Sequence, residues 1–134
     1  MKTHTLRGRI DASSKKRLII DDGRFNHAMV VKEFYVWSIN DTEDPSCVLA
    51  LNDESVGTNM DASNGAQIAW ARTVNAGGLA DMWAIIDPDH VVVRDLFIHN
   101  FSAYNGNYLV ILEAKSISDD EAILQLIKEG QQDV

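Results

Sequence analysis

Short apolar or alternating segments recur along the chain roughly every ten residues, and turn signals such as Asp22-Gly23 separate them. They are rich in Val, Ile, Phe, Tyr and Trp, the residue types that suit a pleated surface. No strand–helix–strand alternation accompanies them. The pattern therefore predicts a mainly β protein, an antiparallel β-sandwich or a jelly-roll-like barrel. The predicted strands are LRGRIDA (6–12), KRLIIDD (16–22), HAMVVKEFYVWSI (27–39), CVLALN (47–52), QIAWART (67–73), LADMWAII (79–86), HVVVRDLFIHNF (90–101) and YLVILEAK (108–115).

The segment SDDEAILQLIKEG, residues 118–130, has a helical pattern instead. Ser118 and Glu121 form a capping box, in which each side chain satisfies the free backbone N–H of the other residue. Apolar residues then recur at helical spacing, and Gly130 is a natural stop. We expect one C-terminal α-helix, joined to a single domain that spans residues 1–134.

Three of the predicted strands carry large apolar residues on both faces, whereas a two-sheet sandwich buries only one face of each strand. The clearest example is the segment 27–39. Strict alternation puts Met29, Val31, Tyr35 and Trp37 on one face and Val30, Phe34 and Val36 on the other. A single helix covers one sheet face at most. The excess apolar surface predicts a homo-oligomer, such as a trimer, or a subunit docked on a larger assembly.

The composition is that of one folded domain, with 46% hydrophobic and 24% charged residues among 134. No apolar run approaches the ~20 residues needed to cross a bilayer, and the first residues lack the apolar stretch of a secretory signal, so no membrane partner is expected. The single cysteine, Cys47, excludes an internal disulfide and is interpreted as a small buried hydrophobe. We expect the chain to fold in a cytoplasm.

Charge is distributed unevenly. Residues 1–24 hold seven of the twelve Lys and Arg against three Asp, a balance of +4, and residues 25–134 hold five basic against seventeen acidic side chains, a balance of −12. The acidic body argues against direct nucleic-acid binding. The basic N-terminal segment, residues 1–16, either docks onto an acidic neighbouring subunit or is a charged strand edge that discourages aggregation. The candidate docking residues are Arg7, Arg9, Lys15, Lys16 and Arg17.

The segment DPDHVVVRDLFIHN, residues 87–100, surrounds an apolar run with acids and histidines. On one continuous strand His90 and His99 point to opposite faces, so they cannot share a metal ion. A site that joins His90 to residues from elsewhere stays open, although close zinc-ligand pairs and the calcium-loop pattern are missing. Its candidate ligands are His90 with either His27 or His4, together with Asp87 and Asp89. Because the sequence has no nucleophile elbow, phosphate loop or His-Glu-x-x-His motif, we expect no enzyme, no catalytic residue, no cofactor and no resident metal.

Two other groups of side chains have alternative interpretations. Asp95 and Glu33 are either a buried acid couple or, as we favour, charges that meet cross-strand cations such as Lys32 or Arg94. The three tryptophans either belong to the core, as we favour, or line a sugar-binding surface. They are Trp37, Trp70 and Trp83.

Four segments carry a family resemblance: IDPDHVVVRDLFIHN, NYLVILEAKSISDDEAILQLIKEGQQDV, DDGRFNHAMVVKEFYV and NGAQIAWA. In them the chain resembles a group of small virion-associated proteins from marine tailed bacteriophages. The resemblance covers most of the chain from about residue 17 onward. It implies a structural role on the capsid or tail and supplies no catalytic residue.

Three functions follow as hypotheses. The first is a capsid decoration (cement) protein on the virion surface, folded in the host cytoplasm, which oligomerises and bridges subunits of the major capsid protein. The second is a tail- or fibre-associated module that binds a host-surface glycan through exposed aromatic residues and polar loops such as 52–66. The third is a small metal-assisted enzyme that uses the histidine and aspartate ligands named above.

Overall fold

The computed structural model describes residues 3–19, 27–39, 43–52, 60–76, 79–88, 91–92 and 95–116. Over these ranges the chain is mainly β, its sheets are antiparallel and it forms no helix, which confirms the predicted class. The helix predicted at 118–130 lies outside the described residues. The strands are β1 (Thr3–Ile10), β2 (Lys15–Ile19), β3 (His27–Ser38), β4 (Ser46–Ala50), β5 (Gln67–Ala76), β6 (Leu79–Ile86), β7 (Val91–Val92), β8 (Asp95–Asn100) and β9 (Gly106–Ser116).

The described strands form two sheets that curl into a half-barrel. The four-stranded sheet has the order β1-β9-β3-β7, and the five-stranded sheet has the order β2-β8-β4-β5-β6. Every pairing in both sheets is antiparallel. Strands that are distant in sequence therefore become neighbours, and β1 and β2 each form an edge of their own sheet.

The core lies between the two sheets, because inward side chains from both belong to one buried cluster. Phe34 of β3 reaches it from the four-stranded sheet, and Leu49 of β4 and Ile98 of β8 reach it from the five-stranded sheet. Burial of each such side chain stabilises the fold by about 1.5–3 kcal/mol. The hydroxyl of Thr73 in β5 donates a hydrogen bond to the carbonyl of Val36 in β3, which links the sheets directly.

A β-bulge in β3 changes the assignment of its faces. The register with β9 shifts between Val31 and Glu33, so the alternation of side chains restarts there. Val31 before the bulge and Phe34 and Val36 after it are all buried in the core. The prediction that Val31 lies on the face opposite Phe34 was wrong, because strict alternation assumes an uninterrupted strand.

The single strand predicted at 90–101 is two strands in different sheets. β7 pairs with β3, whereas β8 pairs with β2 and β4. The chain passes from one sheet to the other between Val92 and Asp95, and both Val92 and Leu96 are fully buried. The continuous strand on which His90 and His99 were predicted to point to opposite faces is therefore not present.

Candidate functional site

An open cleft of about 460 Å³ is formed by residues of β4, β5 and the turns beside them. It lies on the outer face of the five-stranded sheet, which we define as the face turned away from the core. Its volume is within the range of ~300–1,000 Å³ that small-molecule sites occupy. The residues that line it are Asp44, Ser46, Met60, Arg72, Phe101, Ser102, Ala103 and Tyr104.

Ser46 of β4 and Arg72 of β5 form the floor of the cleft. They are directly opposite each other in the sheet. Because the adjacent residues Cys47 and Ala71 are buried in the core, alternation turns the side chains of Ser46 and Arg72 outward. Trp83 of β6 pairs with Arg72 on its other side, so a serine, an arginine and a tryptophan lie in one cross-strand row.

The turn 101–104 forms one wall of the cleft and is held in place by Asn100. The side-chain amide of Asn100 donates to the Tyr104 carbonyl at 2.8 Å. Its oxygen accepts from the Ser102 backbone N–H at 3.0 Å and from the Ser102 hydroxyl at 2.7 Å. Asn100 is buried, so these bonds satisfy its polar atoms and fix the turn that carries Phe101 and Tyr104.

Met60 lines another side of the cleft, and the loop 60–66 that begins with it is fixed by local hydrogen bonds. The Asp61 carboxylate accepts from the Ser63 hydroxyl at 2.6 Å and from its N–H at 3.0 Å, and these bonds lower the pKa of Asp61. The Gln67 side-chain oxygen accepts from the Asp61 N–H at 2.8 Å and from the Trp70 indole at 2.7 Å. The loop is thus anchored to the outer face of β5.

The cleft contains polar groups that are available to a ligand. Arg72 is exposed and forms no hydrogen bond or ion pair with any described residue. Asp44 uses one carboxylate oxygen to accept from the Asn75 N–H at 2.7 Å. Tyr104, which also lines the cleft, is 42% exposed. A cation, a carboxylate and aromatic faces therefore meet in one concave site.

Strand β6 forms a second surface of interest beside this cleft. It is one edge of the five-stranded sheet, and no described strand lies beyond it. All five residues from Asp81 to Ile85 are exposed. Ile85 has 60% of its surface exposed and Met82 has 47%, and Asp81 is the only charged residue of the strand. Exposed apolar surface on an edge strand is typical of an interaction site.

The tryptophans are not core residues, contrary to the interpretation that the sequence favoured. Trp37 and Trp83 are each 38% exposed, and Trp70 is half-buried. Trp70 and Trp83 lie on the outer face of the five-stranded sheet, while Trp37 follows the buried Val36 and so points outward from the other sheet. Residue type alone allows a tryptophan either in the core or on a sheet surface, and only the strand pairing shows which of these it occupies.

The predicted docking residues are distributed over both sheets. Arg7 and Arg9 lie at alternate, exposed positions of β1 on the outer face of the four-stranded sheet. Arg9 is 3.2 Å from Asp11. Arg7 forms no hydrogen bond or ion pair with any described residue.

The other three docking candidates lie on β2, in the five-stranded sheet. Arg17 pairs with Asp95 of β8 at 2.8 Å. The Lys16 ammonium lies 5.6 Å from the centre of the Tyr108 ring, within the range of a cation–π interaction. All three of these residues are exposed. The five candidates therefore occupy two neighbouring sheet edges and do not form one flat patch.

Asp95 and Glu33 lie in different sheets, so they are not an acid couple. Asp95 meets a cross-strand cation, as favoured, and that cation is Arg17 of β2. Arg94 lies outside the described residues. Glu33 accepts a hydrogen bond from the Tyr35 hydroxyl at 2.5 Å, which raises the pKa of Tyr35. Both acids are explained by contacts on their own sheets.

Among the described residues, no group of three His, Cys, Asp or Glu side chains is arranged to hold a metal ion. Of the predicted ligands, Asp87 is half-buried after β6, and Asp89, His90 and the side chain of His27 lie outside what the structure describes. Cys47 is buried as predicted, and desolvation raises the pKa of its thiol to about 12. A thiol with that pKa is not a nucleophile at neutral pH.

The comparisons with known proteins add no family. No protein-family model matches the chain, and no curated protein matches it. Within the described ranges, no helix is long and apolar enough to cross a membrane.

Proposed function

We propose that the protein is a capsid decoration protein, a structural subunit that bridges copies of the major capsid protein on the surface of a phage virion. The observation that carries this proposal is the exposed apolar edge strand β6. In this proposal the two sheets form a jelly-roll-like sandwich, residues 118–130 form a helix that covers one sheet face, and several copies assemble as a homo-oligomer such as a trimer.

An edge strand supports assembly in two ways. Its outward N–H and C=O groups are a template for a strand from another subunit. Its side chains add apolar contact, and burial of Met82, Trp83 and Ile85 would each contribute up to about 1.5–3 kcal/mol. Because Asp81 is the only charge on the strand, little electrostatic desolvation opposes this contact. Clamping between subunits of a shell needs this kind of non-covalent interface energy.

The basic edges supply a second contact in this proposal. Arg7 lacks an ion-pair partner among the described residues and lies on an exposed face, so it is available to an acidic neighbour. Arg9 and Arg17 already meet Asp11 and Asp95. Of the five docking candidates, Arg7 is therefore the cation that gives up the fewest existing contacts with described residues when it binds a partner.

The first test is the copy number of the protein per virion, measured by quantitative mass spectrometry of purified particles against the major capsid protein. A decoration protein gives a ratio near one copy per capsid subunit, or a simple fraction such as one third. A handful of copies per particle moves the protein to the tail. Absence from the particles contradicts the proposal.

The cleft favours a second candidate function, a tail- or fibre-associated module that binds a host-surface glycan. Its exposed Tyr104 and its polar residues Asp44, Ser46 and Arg72 are the groups that recognise sugars, since an aromatic ring meets the apolar face and polar groups meet the hydroxyls. Met60, near the end of the polar segment 52–66, lines the same cleft. A low copy number combined with glycan binding selects this candidate over the first.

A further inference from the structure

Arg72 is an unusual cation in this chain. It belongs to residues 25–134, where seventeen acidic side chains outnumber five basic ones. Despite that excess, its exposed guanidinium meets no carboxylate among the described residues. Lys32, on the same acidic part of the chain, lies 3.9 Å from Glu113. An arginine in a cleft that forms no ion pair with any described residue is available to bind a carboxylate in a bidentate geometry.

The groups around Arg72 are suited to hydroxyls. Asp44 spends one carboxylate oxygen on the Asn75 N–H, and its other oxygen has acceptor capacity for a ligand O–H. The Ser46 hydroxyl, opposite Arg72 in the sheet, both donates and accepts. The Asp44 carboxylate repels a densely anionic ligand such as a nucleic acid. The single guanidinium of Arg72 also cannot neutralise several phosphates.

The remaining lining is apolar and aromatic. Phe101 and Tyr104 stand on the turn that Asn100 holds rigid, and Met60 lines another side of the cleft. Tyr104 is exposed, so its ring offers a surface on which the apolar face of a sugar ring can pack. A ligand that matches the whole cleft has a carboxylate, several hydroxyls and an apolar ring face.

We propose that this cleft binds an acidic carbohydrate of the uronic acid class. Arg72 donates to the sugar carboxylate, Asp44 and Ser46 bond its hydroxyls, and Tyr104 packs against its ring. The inference rests on the glycan-binding candidate function and names its ligand class. It is independent of whether β6 docks onto a capsid.

The test compares digalacturonic acid with its neutral dimethyl ester, which keeps the rings and hydroxyls but loses the charges. Titration calorimetry on the full chain gives both affinities, and NMR spectra of backbone amides locate the site. We expect the acid to bind at least about tenfold more tightly than the ester, since charged hydrogen bonds are the stronger ones. Amide shifts are expected around Ser46, Arg72 and Phe101.

Variants assign that preference to one side chain. R72Q is expected to bind acid and ester equally, and R72K to keep part of the preference, because an ammonium retains the charge but loses the planar fork. Y104A is expected to weaken both ligands alike. The matched control is R7Q, which removes an exposed arginine without a described partner from the other sheet and should leave both affinities unchanged.

Each other outcome overturns the inference in a distinct way. Equal binding of acid and ester by the unsubstituted protein removes the acid preference and leaves the glycan candidate standing. A preference that survives in R72Q with thermal unfolding unchanged puts the site elsewhere. Failure to bind either ligand overturns both the inference and the glycan candidate, while the copy number still decides the capsid role.

Discussion

Two edge strands, β1 and β6, show how differently this protein treats its sheet edges. On β1 the exposed positions alternate and are polar: Thr3, Thr5, Arg7 and Arg9. On β6 exposure is continuous from residue 81 to residue 85, and it includes a methionine, a tryptophan and an isoleucine. Charged edges repel further strands, whereas apolar edges attract them. The difference indicates that β1 is protected from pairing and that β6 is the edge available to a partner.

The change with the largest expected effect is Phe34→Ala, which destabilises the core on which both edge strands depend. Phe34 is fully buried between the sheets, so the substitution leaves a cavity and should lower the free energy of unfolding by about 3–5 kcal/mol. Urea denaturation measures this loss. A loss below about 1 kcal/mol would contradict the position of the core.

A lysine placed on each edge strand in turn tests whether the two edges differ in assembly. Ile85→Lys on β6 should weaken assembly at least about tenfold, because a lysine in an apolar contact must be desolvated. Thr5→Lys, at an exposed position of β1, is the matched control and should have little effect. Sedimentation or binding to particles measures assembly. Since both sites are exposed, unfolding should change by no more than about 0.5 kcal/mol in either variant.

A smaller effect is expected from the ion pair between Arg17 and Asp95 at the β2 edge. The arginine side chain is 54% exposed and the aspartate 18%. A pair that is partly exposed contributes only about 0.2–1 kcal/mol, so Arg17→Gln should be mild. A double-mutant cycle with Asp95→Asn isolates the pair. Coupling well above that range would show that this edge is more rigid than its exposure indicates.

The smallest expected effect is that of a chelator. Because the proposed structural role involves no metal ion, addition of EDTA should leave the thermal unfolding midpoint unchanged. A bound structural ion would make stability depend on the metal. A clear fall in the midpoint after chelation would revive the metal-assisted hypothesis built on His27, Asp87, Asp89 and His90.

The sequence pattern predicts the strands well because β-branched and aromatic runs report local conformation. The pattern does not report which strands pair with each other. Nothing in HAMVVKEFYVWSI marks the bulge after Val31, and nothing in HVVVRDLFIHNF marks the passage between sheets. Both features depend on partner strands that are remote in sequence, so period-two reasoning continued through them.

The candidate sites were missed for a related reason. LADMWAII looks like a buried strand, and only its place at the end of the sheet order exposes it. The cleft joins Asp44, Arg72 and Tyr104, which lie in three separate segments. Alternation within QIAWART could have placed Arg72 outward beside the buried Ala71, but no sequence pattern places Tyr104 next to it.

The most direct test of the central claim is hydrogen exchange of the protein on virions compared with the isolated protein. We expect amides of β6, residues 79–86, to exchange more slowly on the particle, while amides of β1 are unchanged. Protection of β1 with no change at β6 would contradict it. That result would make the basic edge, and not the apolar edge, the one that docks.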